Sequence, residues 1–570
     1  MNFIKYCLIG LVLITNFNNI SFSQKNINYS ISLRAPLDIP LILAGNFGEL
    51  RSNHFHTGID FKTNRRIGYK VKAIEDGYVS RIRVSPWGYG HVVYIDHPKI
   101  GLTSVYAHLK SFNGKIGKLA EVQQRKGESF SFDYYPTKDS IKVKRGEVIA
   151  LSGNTGSSTA PHLHFEIRET ETEEALNPLL FNFNVQDDVR PTIRRVKLYS
   201  LTKEGYRVPN KSNVFTVSGG NGNFTINNGK INVPVSYLSQ EGGIGFAFDV
   251  IDKLNAANNI CGVYEAFLLI NNDTIFSQQI DRISFHSNRQ INTHKDYEEY
   301  HRSRRHFHKA FKTKHNSLPI YRKNKNNGIF KALPNNNYSV KYIVKDAYGN
   351  TSMLAFEVET ENGEMVQEQN LYSAEKTLYP DSAFLSYENS HYIMFPPNIL
   401  YEPTPLILET SYNSIRFGDD NVPLQSTYKI MLPVHNDFPN QSYIRRTTNK
   451  GKQAAEGGTF YEGWITARVR DFGTFSVEID SIPPSIKFRN FSNNSHFTRK
   501  RMDLSIVEEE SGLKSYKIFF DDKWHLLSYE PKQRLFYFDV PKDFKGEKKV
   551  IIYAEDNVGN VNEKSISLTF

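Results

Sequence analysis

Residues 161–168 read Pro161-His162-Leu163-His164-Phe165-Glu166-Ile167-Arg168, and this stretch decides how the N-terminal part of the chain folds. Apolar and polar residues alternate strictly, the pattern of a half-buried β-strand. Successive side chains on a strand point to opposite faces, so His162, His164 and Glu166 share one side and Leu163, Phe165 and Ile167 the other. The apolar side can pack on a core. The polar side holds two imidazoles close together, which suits metal-assisted chemistry: one group binds the ion while another handles a proton or a developing charge.

Two further segments extend the pattern. His56-Thr57-Gly58-Ile59-Asp60 places a histidine and a carboxylate on either side of a glycine, where the backbone can bend enough to bring both to one point. With His164 they would make a set of two histidines and one carboxylate. Three protein ligands leave a fourth tetrahedral position for water, the catalytic pattern of zinc. In Val105-Tyr106-Ala107-His108-Leu109, alternation predicts Tyr106 and His108 on one face and Val105, Ala107 and Leu109 on the other.

His56-x-x-x-Asp60, Tyr106-Ala107-His108 and Gly153-Asn154-Thr155-Gly156 leading to His162-Leu163-His164 together resemble the lysostaphin/LytM-type zinc metalloendopeptidases. Val71-Lys72-Ala73, Asp76-Gly77-Tyr78-Val79 and Val143-Lys144-Arg145-Gly146-Glu147 fit the same resemblance, which spans roughly residues 45–180. It implies one zinc ion per chain on His56, Asp60 and His164, with His108 and His162 as the catalytic histidines. It also implies cleavage of peptide cross-links and bridges in peptidoglycan. Two departures stand out. Ala160 precedes Pro-His-Leu-His where the family usually has glycine, and residues 110–142 replace a short connection. That segment reads as an extra hairpin on the domain edge, the alternative being a lid over the substrate groove. The chain has no His-Glu-x-x-His helix, so the general base is expected to be one of the two histidines. Glu166 either orients the ring of His164 or is solvated.

Residues 1–23 read as a signal peptide, with Lys5 at its start, the short apolar run Cys7–Ile14, and small residues Ser21 and Ser23 before cleavage. No later apolar stretch is long enough for a membrane span. The expected location is the periplasm or the cell-envelope surface. Cys7 leaves with the signal, so Cys261 is the one cysteine of the mature chain. It can form no internal disulfide and reads as a small buried residue.

The net charge of +10 comes from 70 basic and 60 acidic residues. Export argues against a nucleic-acid partner and for peptidoglycan or another cell-envelope polymer, to which a basic surface is attracted. The densest basic run, His301 to Lys325, carries nine Lys or Arg and no acid. It reads as a solvated helix or loop, since its histidines share no face with acidic partners.

At 570 residues the chain has room for about three to five domains. Beyond residue 184 the sequence turns to short alternating strands with Asn, Asp, Gly and Ser turns. Val344-Lys345-Asp346-Ala347-Tyr348-Gly349-Asn350 parallels Ala554-Glu555-Asp556-Asn557-Val558-Gly559-Asn560, each between two strands. This Asp-x-x-Gly-Asn turn resembles the last hairpin of bacterial immunoglobulin-like domains. Phe248-Asp249-Val250-Ile251-Asp252 and Leu504-Ser505-Ile506-Val507-Glu508 occupy similar places within the two units. The expected architecture is mostly β: an antiparallel β-sheet metallopeptidase domain over 24–184, Ig-like β-sandwiches over 185–360 and 484–570, and a β-rich module over 361–483. The expected function is zinc-dependent hydrolysis of peptidoglycan peptides. The alternatives are a metallopeptidase acting on an exported protein and a non-catalytic scaffold that activates another wall hydrolase.

Overall fold

The computed structural model describes residues 27–367 and 376–570; the expected signal peptide lies outside the described residues. The fold is mostly β, and four hydrophobic clusters follow one another along the chain.

The first sheet carries the histidine strand at its centre. Its order is Leu43–Gly45, Ile59–Lys62, His162–Glu169, Leu102–Ala107, His91–His97, Gly77–Val84 and Phe132–Tyr134, with antiparallel neighbours throughout. Alternation works as read: Leu163, Phe165 and Ile167 are fully buried in the core beneath the sheet, together with Ile59, Phe61 and Tyr106. Each such side chain contributes about 1.5–3 kcal/mol on leaving water, so the strand is held in register by its apolar face.

Residues 110–142 are not a hairpin. They form a helix, Gly114–Gly127, which buries Ile116, Ala120 and Gln124, followed by the short edge strand Phe132–Tyr134. Ile116, Leu119 and Ala120 make only a short apolar stripe, Gly117 lies within it, and Gln124 takes the next inward position, so the helical signal is weak.

The boundary near residue 184 does not separate two cores. Ile280, Ile283, Ile291, Leu318 and Ile320 of the second module are buried in the same cluster as Phe165 and Phe181. Ala175–Leu176 pairs with both the histidine strand and Arg282–Ile283, so backbone hydrogen bonding crosses the junction. Asn46 exchanges two hydrogen bonds of 2.7 Å with the backbone of Gly262, and Lys295 donates to the carbonyls of Arg51 and Ser52.

The second module folds a long sheet over its core, with Phe248 stacked on Tyr342 at 3.7 Å between the two halves. The third and fourth modules each pack two sheets face to face. The last also touches the first domain: Lys517 pairs with Glu128 at 2.8 Å, and Lys532 donates to the Asn154 carbonyl. The basic run 301–325 is solvated in part, as read, with Arg302, Arg304, Lys314, Arg322, Lys323 and Lys325 exposed, but its centre is not. Phe307, His308, Lys309 and Phe311 are buried, and Lys309, Lys314 and Lys325 are paired with Glu402, Asp381 and Asp273. Cys261 is buried, as read. No helix among the described residues is long and apolar enough to cross a membrane.

Candidate metal centre

Three of the residues singled out in the sequence converge on the open face of the first sheet. Asp60 lies directly opposite His164 in the strand register. His56 enters from the preceding loop, where its N–H donates to the Glu49 carbonyl and its carbonyl accepts from Gly48. Gly58 makes this approach possible: a Cβ there would stand 2.4 Å from the Phe165 carbonyl oxygen and 3.0 Å from the His164 ring. His56 Nε2, His164 Nδ1 and Asp60 Oδ1 form a triangle with sides of 3.0, 2.9 and 3.1 Å. All three residues are buried.

The outer nitrogen of each ring fixes what the inner nitrogen offers. His56 Nδ1 donates to the Asn46 carbonyl at 2.8 Å, and His164 Nε2 donates to Glu166 Oε1 at 2.9 Å. Neutral rings in those tautomers turn two nitrogen lone pairs and a carboxylate oxygen toward one point, an arrangement that is repulsive unless a positive charge sits there. The titration behaviour agrees. Burial opposes charge on His164, but Asp60 and Glu166 outweigh it and carry its pKa up to about 9. His56, equally buried, is held below the usual imidazole range despite Asp60. The pocket therefore favours a single cation beside Asp60. Two imidazole nitrogens and a carboxylate oxygen about 3 Å apart suit an ion with bonds of roughly 2.0–2.2 Å, the zinc range.

Glu166 is not solvated. It is fully buried and accepts from Thr57 Oγ1 at 2.7 Å, Tyr89 Oη, His164 Nε2 and Arg168 Nε at 2.7 Å. Burial works against its charge, but Arg168 and His164 hold its carboxyl well below the ordinary range. Tyr89 also stacks on the His164 ring at 5.2 Å, and Arg51 holds the second oxygen of Asp60 at 3.3 Å. Asn46, Arg51 and Tyr89 were not singled out from the sequence, and Arg168, which continues the face of His164 and Glu166, was given no role there. Tyr89 carries a local signal, a large aromatic between two glycines, and Arg168 another, its spacing of two from Glu166 on one strand.

His108 and His162 flank the triangle, their rings 4.8 Å apart. His162 Nδ1 lies 2.8 Å from the Ala160 carbonyl, and its Nε2 lies 3.5 Å from Asp60 Oδ1. His108 corrects the reading of its segment. Its neighbour Ala107 lies opposite His164, whereas Tyr106 lies opposite Phe165 in the core, so regular alternation would send His108 into the core with Tyr106. Instead His108 has φ +57°, a left-handed conformation uncommon outside glycine, and the break between strands Leu102–Ala107 and Leu109–Phe112 swings it to the site. Its N–H donates to the Tyr89 carbonyl at 2.9 Å, and its Nδ1 donates to the Thr155 carbonyl at 2.8 Å. Burial and the nearby His164 and His162 lower its pKa to about 3, so the ring is neutral. The Gly153–Gly156 turn thus serves as its anchor. Gly156, at φ +72°, packs so closely on Gly88 and Gly90 that a Cβ would fall 2.3 Å from the Gly88 carbonyl. A groove of about 370 Å³ opens beside the site, lined by His54, Arg83, Trp87 and Tyr89.

Residues 54–134 and 132–178 match peptidase family M23. The first domain is an M23 peptidase domain of the lysostaphin/LytM type. Residues 375–480 match a Zu5-like domain, which gives a type to the third module. Over 119 residues the M23 region is 34% identical to the DD-carboxypeptidase/endopeptidase Mpg of Neisseria meningitidis serogroup B, covering 21% of each chain. Over 112 residues it is 36% identical to the peptidoglycan DD-endopeptidase ShyB of Vibrio cholerae, covering 20% of each. Among solved structures, the catalytic domain of lysostaphin from Staphylococcus simulans is 27% identical, covering 24% of this chain and 90% of that one with a TM-score of 0.19. The chain spans about a fifth of the length of the curated relatives it matches.

Proposed function

We propose that the protein is an exported zinc endopeptidase that hydrolyses peptide cross-links of peptidoglycan in the periplasm or at the envelope surface. The observation that carries this reading is the triangle of His56 Nε2, Asp60 Oδ1 and His164 Nδ1, with the outer nitrogen of each ring held by an acceptor so that the inner one faces the other two corners. The substrate class rests on relatives named for action on peptidoglycan.

His56, Asp60 and His164 would hold the metal. A bound zinc ion acidifies a coordinated water and polarises the scissile carbonyl. The chain's own residues do the rest. The Asn46 carbonyl and Glu166 orient the two ligand imidazoles, and Arg51 keeps the second oxygen of Asp60 from turning away. His108 and His162, each held at Nδ1 by a backbone carbonyl, keep Nε2 free to exchange a proton. One takes the proton of the attacking water, and the other donates to the oxygen that becomes negative as the carbonyl is attacked. Neutral His108, with its proton on Nδ1, can take the water's proton at Nε2 without first losing one, whereas the oxyanion role requires a proton on Nε2 as well. The groove beside Trp87 and Tyr89 places the peptide against this pair. The three later modules, two of them read as Ig-like, place the peptidase on its substrate.

Digestion of purified sacculi, with the products identified by mass, tests the reading. Cleaved peptide cross-links that disappear on chelation support it. Intact sacculi together with cleavage of an exported protein would move the activity to the alternative substrate.

A further inference from the structure

Three carboxylates gather at the seam between the peptidase domain and the second module, away from the histidines. Asp187 lies in the connection leaving the first domain, Asp252 follows the strand Gly243–Ile251, and Asp346 opens the turn between strands Asn337–Lys345 and Thr351–Thr360. One oxygen of each lies within 4.8 Å of the others. None of the three is paired with a lysine or arginine among the described residues.

Most of the polar atoms here have partners, and one does not. Asp346 accepts from the N–H groups of Tyr348 and Asn350 at 2.9 Å and from Asn350 Nδ2 at 2.7 Å. Asp187 accepts from the Val189 N–H at 3.1 Å. Asp252 is only 2% exposed, and its buried Oδ1 has no hydrogen-bond partner at all. An unpaired buried carboxylate facing two others is costly unless something positive meets it. Burial and the neighbouring carboxylates push Asp252 up to about 8 and Asp187 to about 7.

We propose that Asp187, Asp252 and Asp346 form a calcium site that fixes the connection leaving the peptidase domain to the second module. The donor set is all oxygen, with no imidazole or thiolate, which selects a hard cation over zinc. Calcium–oxygen distances of about 2.3–2.6 Å place oxygens across one ion at most about 5 Å apart, so all three carboxylates fit a single ion. The site gathers three separate parts of the seam: the connection from the first domain, the hairpin at Asp346, and the loop after Asp252. Asp252 pairs through its backbone with Cys261, and the next residue, Gly262, exchanges hydrogen bonds with Asn46 of the peptidase domain.

The last module repeats the layout with Asp480, Glu508 and Asp556. Asn560 Nδ2 donates to Asp556 and to the Asp480 carbonyl, as Asn350 Nδ2 does to Asp346 and the Asp187 carbonyl. There, however, Asp480 Oδ2 already accepts from the hydroxyl and the N–H of Ser511. The proposal is therefore confined to the first cluster.

The test uses the full mature chain, loaded with zinc and freed of calcium, in equilibrium dialysis against radioactive calcium and in thermal unfolding with and without 5 mM calcium chloride. Asp252→Asn should bind one calcium fewer than the unaltered chain, and the calcium-induced rise in Tm of a few degrees should be lost. Zinc content should not change. Asp187→Asn, at a less buried position, should give the same loss and decides the matter if Asp252→Asn does not fold. Asp556→Asn should retain this calcium and its Tm rise. Failure of the unaltered chain to bind calcium overturns the proposal, as does calcium stoichiometry unchanged in both Asp252→Asn and Asp187→Asn. Neither outcome depends on peptidase activity.

Discussion

Two pairs of buried histidines in this chain have the same short contact. His56 Nε2 lies 3.0 Å from His164 Nδ1 in the first domain, and His294 Nε2 lies 3.0 Å from His308 Nδ1 in the second. Their surroundings differ. The first pair has Asp60 at the third corner and Glu166 behind His164, with pKa about 9. The second has no carboxylate hydrogen-bonded to either ring among the described residues and has Lys295 and Lys309 near His294; burial, then neighbouring positive charge, holds His308 down to about 3 despite Asp249, and His294 lower than usual. Its close contact is an ordinary hydrogen bond between two neutral rings. Of the two pairs, the one joined by a carboxylate, with both outer nitrogens committed to acceptors, presents the complete donor set.

The largest effects should fall on the first pair. Replacing His56, Asp60 or His164 by alanine should abolish both bound zinc and activity, while His294→Ala and His308→Ala keep stoichiometric zinc, measured by elemental analysis of the purified chain. Full zinc in His164→Ala would break the comparison.

A chain ending at residue 184 should lose the fold altogether. It keeps every proposed ligand but uncovers the core that Ile280, Ile283, Ile291, Leu318 and Ile320 complete. Extending it to residue 367 should restore soluble, zinc-binding protein, as judged by solution yield and metal content. A soluble, zinc-loaded 24–184 fragment would show that the two cores are separable.

His108→Ala and His162→Ala should keep zinc and lose turnover by about 10²–10⁴-fold. Loss of metal in either would move that residue into the ligand set.

Much of the first site was legible because its geometry is local. His162 and His164 are two residues apart on one strand, and His56 and Asp60 flank a glycine. The apolar partners of that strand, Leu163, Phe165 and Ile167, announce its buried face. What was not legible depends on contacts remote in sequence or on single backbone angles. The positive φ of His108 reverses its face, and no side-chain pattern encodes it. Arg51 and Tyr89 join the site only once the sheet is assembled. The buried centre of the basic run 301–325 was not legible because Glu402, the partner of Lys309, lies elsewhere in the chain.

Glu166→Gln should have a smaller effect, lowering zinc affinity about 10–100-fold in competition with a chromophoric chelator, because it disturbs the orientation of His164 without removing a ligand. Thermal stability should fall as well, since Arg168 loses its buried counter-charge. Unchanged affinity would make Glu166 a purely structural partner of Arg168.

The smallest effect concerns acid. His308 titrates near 6.5 in the unfolded chain and at about 3 in the folded one. Between those values the unfolded chain binds the extra proton, so its contribution is complete above about pH 6.5 and declines as pH falls toward 3. His308→Gln should flatten the loss of stability over that window in denaturant titrations. An unchanged slope would mean that other groups dominate acid unfolding.

Anomalous diffraction at the zinc absorption edge, from crystals of the full chain, separates the two histidine pairs most directly. We expect one strong peak bounded by His56 Nε2, Asp60 Oδ1 and His164 Nδ1, with nothing between His294 and His308. A peak at the second pair, or none at the first in protein that contains zinc, would contradict the assignment.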